Sequence, residues 1–275
     1  MLERLKGKAG SHPGENMNYK RLKVQILGLI IANSFIFSPF LKYVPCPVMN
    51  CYACPLAAVS CPVGTIQSLI SLGTIPIYTM GLLAFVGSMV GRMSCGWICP
   101  FGFLQELAYK VPIWKLKISN RYAALSYAFL GLVLLYPLAM FLIQGPVEKF
   151  TLFCKLCPVG TLEGGIPSML LYEGLRKQIG LLFISKVSIL MVLIALVTMI
   201  KMPFCRFICP LGAIFSLFNP ISRVRLDVDD SCTKCGRCAK ACPVDAEIYM
   251  DPDSRSCIRC LDCTKTCSNI RLTKR

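Results

Sequence analysis

Histidine is almost missing: His12 is the single one in 275 residues. A haem-bearing helix bundle needs axial ligands inside the membrane, of which histidine is the usual one, and no C-x-x-C here is followed by His. Both points argue against haem. Acidic side chains are scarce too, 14 against 30 Lys and Arg, for a formal charge of +16. Such a surplus invites a nucleic-acid reading. It is better explained by basic residues gathered at membrane flanks, with thiolate-ligated clusters adding negative charge that the count omits. No nucleic-acid partner is expected. No small-residue cleavage site follows the first apolar run, which therefore reads as a retained span and not a signal peptide.

What the chain does have is 18 cysteines and a mean hydropathy of +0.60. Four stretches, 22–41, 77–91, 122–143 and 181–200, are apolar enough to suggest crossing about 30 Å of hydrocarbon. Arg4, Lys6, Lys8, Lys20, Arg21 and Lys23 precede the first; Arg92, Lys110, Lys115, Lys117 and Arg121 separate the second from the third. Lys201, Arg206, Arg223 and Arg225 follow the fourth. That asymmetry predicts both termini in the cytoplasm. The motifs also repeat. Cys61-Pro-Val-Gly and Cys95-Gly-Trp-Ile-Cys99-Pro-Phe-Gly in one half answer to Cys154-Lys-Leu-Cys157-Pro-Val-Gly and Cys205-Arg-Phe-Ile-Cys209-Pro-Leu-Gly in the other. The expected architecture is an all-α membrane protein. It has four transmembrane helices in two pseudo-twofold repeats and a small α+β two-cluster ferredoxin tail. The boundaries are a cytoplasmic N-terminal segment, 1–21, a membrane domain, 22–220, and the ferredoxin domain, 221–275.

The tail carries the strongest motif. Cys232, Cys235, Cys238 and Cys242-Pro243 form C-x-x-C-x-x-C-x-x-x-C-P, and Cys257, Cys260, Cys263 and Cys267 repeat the spacing. Three thiolates of each run wrap one cubane and the fourth reaches the other. One [4Fe-4S] is thus expected on Cys232, Cys235, Cys238 and Cys267, the second on Cys242, Cys257, Cys260 and Cys263. Zinc sites usually pair two C-x-x-C knuckles instead. Cys95, Cys99, Cys205 and Cys209 make an inner set, in which neither pair suffices alone but the two together supply four thiolates. Pro100 and Pro210 suit the first turn of a helix, leaving Cys99 and Cys209 at helix N-termini, where free N–H groups favour an anion. Against this stands the reading of buried structural cysteine.

The outer cysteines leave alternatives open. Cys46, Cys51, Cys54 and Cys61 stand in one loop and Cys154 and Cys157 in the other. Six ligands exceed one cubane and fall short of two. Cys61, Cys154 and Cys157 with Cys51 or Cys54 form the favoured set; disulfides are the alternative in an oxidising compartment. Lys186 reads as a snorkelling cation or as support for an outer cluster. Gln105, Glu106, Glu163, Asn33 and Tyr136 are candidates for a quinone site, with ordinary helix positions the rival account of the first three.

These elements resemble the NapH-type membrane quinol dehydrogenase component of periplasmic nitrate reductase systems, and the related polyferredoxin membrane modules of the NosR and YccM kind. The resemblance rests on Cys95-Gly-Trp-Ile-Cys99-Pro, Cys205-Arg-Phe-Ile-Cys209-Pro and the two ferredoxin runs. It implies a multi-pass protein of the cytoplasmic membrane exchanging electrons with quinol and with cytochrome, flavoprotein or iron–sulfur subunits. Three to four [4Fe-4S] clusters, iron held through the cysteines above and an optional quinone are the implied cofactors. The outer cysteine group departs from the simplest NapH pattern. The function expected is electron transfer across the membrane as a subunit of an oxidoreductase complex. A quinol dehydrogenase subunit and a redox-sensing regulatory membrane protein are the alternatives.

Overall fold

The computed structural model describes residues 19–34, 38–42, 44–112, 114–116, 118–146, 152–177 and 179–274. His12 and most of the expected N-terminal segment lie outside the described residues, as does Lys117.

Seven helices position the cysteines: α1 (Tyr19–Ala32), α2 (Pro62–Ser71), α3 (Ile77–Val90), α4 (Pro100–Tyr109), α5 (Leu125–Gln144), α6 (Leu181–Met199) and α7 (Pro210–Phe218). Three of them start with a Cys-Pro pair, and so does the short helical run after Cys157. Proline fits the first helical position because its missing N–H has no partner to lose there. The preceding cysteine is pushed out of helical conformation by the same ring. Cys61, Cys99, Cys157 and Cys209 accordingly share one extended backbone, with ψ between 112° and 124°. Each thiol thereby stands at the N-terminus of its own helix, and Cys209 Sγ accepts the Gly212 N–H there.

Four spanning helices are not found. Among the described residues two helices are long and apolar enough to cross a membrane, Tyr122–Gln144 and Leu181–Met199. The expected first span breaks after Ala32, leaving α1 with 14 residues, or about 21 Å at 1.5 Å per residue. Arg21 and Gln25 lie four apart on one face of it and are buried, both donating to the Gly96 carbonyl, at 2.9 and 3.1 Å. That face is committed to protein and not to lipid. The expected second span, α3, is likewise 14 residues and stops at Gly91, whose φ of 58° suits glycine. Both helices fall short of a 30 Å core. The duplication therefore resides in the cysteine motifs and not in the spans.

Of the most apolar window in each long helix, 17% is buried. The core helix of a soluble protein would be mostly covered. Leu135, Leu142, Ile143, Leu181 and Met191 are all more than half exposed, and apolar surface on this scale calls for cover by lipid or by a protein partner.

Beyond α7 the chain forms a two-stranded antiparallel sheet, β1 (Val224–Val228) with β2 (Ile270–Lys274), in register Leu226 to Leu272 and Val228 to Ile270. Leu226 and Ile270 turn inward onto Val244, Ala246, Ile248 and Ile258. The same core continues through Phe215, Leu211 and Phe204 to Val133 and Leu83. Phe101 and Phe204 meet edge-to-face with centroids 5.0 Å apart, which fixes α4 against the segment that carries Cys205.

Candidate metal centres

In the tail, the two cysteine runs wind alike. Lys234 and Gly236 in the first, and Arg259 and Leu261 in the second, occupy equivalent positions two and four residues past the leading cysteine. All four have positive φ, between 49° and 73°. Left-handed residues at alternate positions curl a short loop around one centre, and their presence at Lys234, Arg259 and Leu261 is backbone strain held by the surroundings. The sulfurs of the two runs lie close: Cys238 feels Cys267 and Cys232, and Cys263 feels Cys257, Cys242 and also Cys238. Backbone N–H groups of Ala246 and Arg259 donate to Cys242 and Cys257 Sγ, each at 3.3 Å. Cys235 is exposed; Cys242, Cys257, Cys260 and Cys263 are buried.

The inner set converges. Cys95, Cys99, Cys205 and Cys209 line one small apolar cavity with Val48, Met49, Phe101, Phe204 and Leu211. Burial first, then the neighbouring thiols, pushes Cys99 and Cys205 well up, so ligation there must displace protons. The donor chemistry fits an anionic iron–sulfur cluster. Gln105 Nε2 donates to Cys205 Sγ at 2.9 Å and Gly212 N to Cys209 Sγ at 3.3 Å. Arg92 lines the cavity, 5% exposed, and its Nε is buried without a partner. Hydrogen bonds to sulfur and local positive charge are the means by which proteins raise cluster potentials. Gly102 and Gly212 leave room as well: a Cβ would stand 3.0 Å from the Cys95 carbonyl or from Arg92 Nη2.

Sequence reasoning passed over Arg92 except as a flanking charge, and read Gln105 as an ordinary helix position or a quinone-site candidate, not as a donor to a cysteine. Its position five residues beyond Cys99-Pro, one turn and a half into α4, was the available signal. Glu106 is an ion-pair partner: Arg21, fully buried, binds it at 2.6 Å and Asp262 at 2.8 Å. Asn33 caps Leu29 at the end of α1. Tyr136 is half-buried within α5.

Tail and inner set are locked together. Trp97 Nε1 donates to the Arg259 carbonyl at 3.0 Å, and Asn219 Nδ2 to the Cys257 carbonyl at 2.8 Å. Arg259 reaches back to the Val90 and Asn219 carbonyls, and Arg92 Nη1 holds the Arg255 carbonyl. Gly96 sits so close to Ile258 that a Cβ would lie 2.5 Å from its carbonyl oxygen. The buried tail loop Cys257–Cys263 is thus pressed onto the Cys95–Cys99 segment.

The outer cysteines do not lie at the far ends of the long helices. Gln67, in α2, donates to the Val133 carbonyl halfway along α5, and its Oε1 accepts from Cys154 Sγ at 3.3 Å. Gly73, just past α2, meets Phe141, so α2 runs parallel to α5 and Cys61 at its start lies level with the first half of α5. Cys61 Sγ is 3.8 Å from Met49 Sδ, and Met49 lines the inner cavity. Glu163 accepts from the Cys51 N–H at 2.9 Å, and burial lifts its carboxyl to about 7 against that hydrogen bond.

Among the described residues no three Cys, His, Asp or Glu side chains close on a single-ion position. A cubane presents separate iron corners, which its thiolates surround.

A family described as a 4Fe-4S binding domain matches residues 72–119 and 183–228, and a second of the same description matches 228–247. An uncharacterized protein of Methanocaldococcus jannaschii is 30% identical over 78% of this chain and 85% of its own length. The putative electron transport protein YccM of Escherichia coli is 25% identical over 68% of this chain and 52% of its own. The regulatory protein NosR of Pseudomonas aeruginosa is 26% identical over 62% of this chain and 23% of its own. The chain therefore spans about half of YccM and about a quarter of NosR. No solved structure matches it.

Proposed function

The chain belongs to the ferredoxin-type 4Fe-4S family that contains YccM and NosR, and from that premise we propose that it is a membrane relay. It passes electrons between a redox protein at the exposed tail and an acceptor or donor reached through the membrane. Cys232, Cys235, Cys238 and Cys267 hold the distal cluster. Cys242, Cys257, Cys260 and Cys263 hold the proximal one, and Cys95, Cys99, Cys205 and Cys209 hold a shared inner one. When bound, the clusters supply one-electron redox chemistry. This chain's own residues set their spacing and environment: Gln105 and Arg92 direct positive dipole and charge at the inner site, and Trp97 and Asn219 fix the tail's distance from it.

The observation that carries this reading is the contact between the Cys257–Cys263 loop and the Cys95–Cys99 segment, made by Trp97, Asn219 and Gly96. A pair of unrelated structural sites would have no reason to abut. The helices Tyr122–Gln144 and Leu181–Met199 are taken to cross the membrane, with the tail on the cytoplasmic side. Lys115 and Lys201 bind carbonyls at that end, and Arg206 and Lys201 share Asp245. Basic residues there agree with cytoplasmic placement.

The test is spectroscopic. In anaerobically purified protein, Cys99→Ser and Cys209→Ser should each abolish the same one cluster signal and leave both tail signals. Loss of two different signals would exclude a shared inner site. Zinc in place of iron would reject the relay altogether.

A further inference from the structure

We propose that Cys51, Cys61, Cys154 and Cys157 hold a fourth [4Fe-4S] cluster inside the helical domain, and that Cys46 and Cys54 are not among its ligands. This rests on the iron–sulfur reading above and extends it to residues that none of the matched family regions includes.

The four sulfurs find one another. Cys154 lies within electrostatic reach of Cys61 and Cys51, and Cys157 of Cys61 and Cys154. The glycines of the two Cys-Pro-Val-Gly motifs face across reciprocally. A Cβ on Gly64 would meet Cys154 Sγ at 3.4 Å, and a Cβ on Gly160 would meet Cys51 Sγ at the same distance. Cys51 is thereby the counterpart of Cys154, although it precedes its own Cys-Pro by ten residues and not three. Gly164 closes over Cys51 from the other side, with a Cβ position 3.2 Å from its sulfur. Cys61 and Cys157 each stand at the N-cap of their own helix start, in extended backbone.

Cys154 also stands near the ammonium of Lys186. Of the remaining two, Cys54 turns toward α1, with its Sγ 3.8 Å from Asn33 Oδ1, although it stays within electrostatic reach of Cys51; burial alone acts on Cys46.

The arrangement is thus a four-thiol cage, Cys157 buried and the other three partly so, with a cation beside Cys154, a donor set that suits an anionic cubane. Its depth matters. Through Gln67 and Val133 it sits alongside the middle of α5, with Met49 between it and the inner cavity. The fourth cluster would therefore prolong the relay into the apolar part of the molecule.

The experiment counts clusters in the full-length protein, by iron and acid-labile sulfide content together with electron paramagnetic resonance and Mössbauer spectra. About sixteen iron atoms per chain are expected. Cys51→Ser and Cys154→Ser should each remove about four of them and one common signal, with the tail and inner signals retained. Cys46→Ser and Cys54→Ser should change nothing. Twelve iron atoms in the unaltered protein, a Cys51–Cys154 or other disulfide, or loss of the signal in Cys54→Ser but not Cys51→Ser would overturn the proposal. Should the serine variants fail to assemble, Gly64→Ala and Gly160→Ala set a methyl in contact with the same two sulfurs, at 3.4 Å, and should shift that one signal alone. An unchanged spectrum, or a shift in the tail signals, counts against it. Absence of the tail and inner signals would instead refute the relay, so the two failures are distinguishable.

Discussion

Arg21→Ala should detach the ferredoxin tail without touching a cysteine. The guanidinium is fully buried and joins three segments of chain: it binds Glu106 on α4 at 2.6 Å, Asp262 at the start of the helix Asp262–Thr266 at 2.8 Å, and the Gly96 carbonyl at 2.9 Å. Removing one partner of a buried ion pair costs about 3–5 kcal/mol, because the charge left behind has lost its compensation. Two carboxylates are left here, but their side chains keep 16% and 19% exposure and can draw in water. Gly96 also keeps its bond from Gln25. The low end of the range, about 3 kcal/mol, is the expected loss, which is on the order of a hundredfold in the docking equilibrium. Amide hydrogen exchange across 257–267 in detergent solution should report it as faster opening, and magnetic coupling between the tail and inner clusters should weaken in parallel. Arg21→Lys should fall between, since one ammonium cannot serve three acceptors spread over a planar fork. A loss below about 1 kcal/mol with coupling unchanged would refute the reasoning, as would full additivity with Glu106→Gln.

Gly96→Ala should act on the same joint by a steric route, forcing the Ile258 carbonyl away and costing about 1–3 kcal/mol, seen as a lower melting temperature with the inner signal retained. Gln105→Leu removes the 2.9 Å donor to Cys205 and should lower the inner cluster's reduction potential, since the bond favours the more negative reduced state; an unchanged or raised potential in a redox titration would contradict this. Removing iron with a chelator under reducing conditions should unfold the tail while the long helices persist, because two five-residue strands and two one-turn helices form too small a core alone. Circular dichroism and protease sensitivity of residues past 221 would check it. In sealed vesicles with the tail outside, an impermeant reductant should reduce an enclosed acceptor, and Cys99→Ser should stop that transfer while the tail is still reduced.

Motif spacing carried a good deal of this architecture. The two cysteine runs of the tail, the Cys-Pro starts and the pairing of the inner motifs were all legible, because covalent spacing and proline geometry act locally. Span count was not. Hydropathy merges Leu22, Leu27, Ile30 and Ile31 with the apolar residues beyond Asn33 into one run, but cannot see that Arg21 and Gln25 are already claimed by Gly96. Nor can it tell that α3 ends after 14 residues at a left-handed glycine. The depth of the Cys61 and Cys157 motifs was equally hidden. Loops between apolar segments look as if they lie at a membrane face, whereas Gln67 and Val133 draw these inward through a contact 66 residues apart. The approach of Gly160 and Gly164 to Cys51 joins positions more than a hundred residues apart along the chain, which spacing alone does not reveal.

The clamp of Trp97, Asn219, Arg92 and Arg259 on the tail bears on what limits the speed of the molecule. A tethered carrier that swings between partners spends its time searching, and its turnover follows solvent viscosity and linker length. Here the tail has no swing to make. Internal electron re-equilibration should therefore be indifferent to viscosity and salt, fixed by distances set when the chain folds. The slow step moves outward, to the meeting of a partner with the exposed Cys235 edge, where Lys234, Arg237 and Lys240 stand in solvent. Turnover with a soluble partner should then vary with ionic strength while the internal step does not.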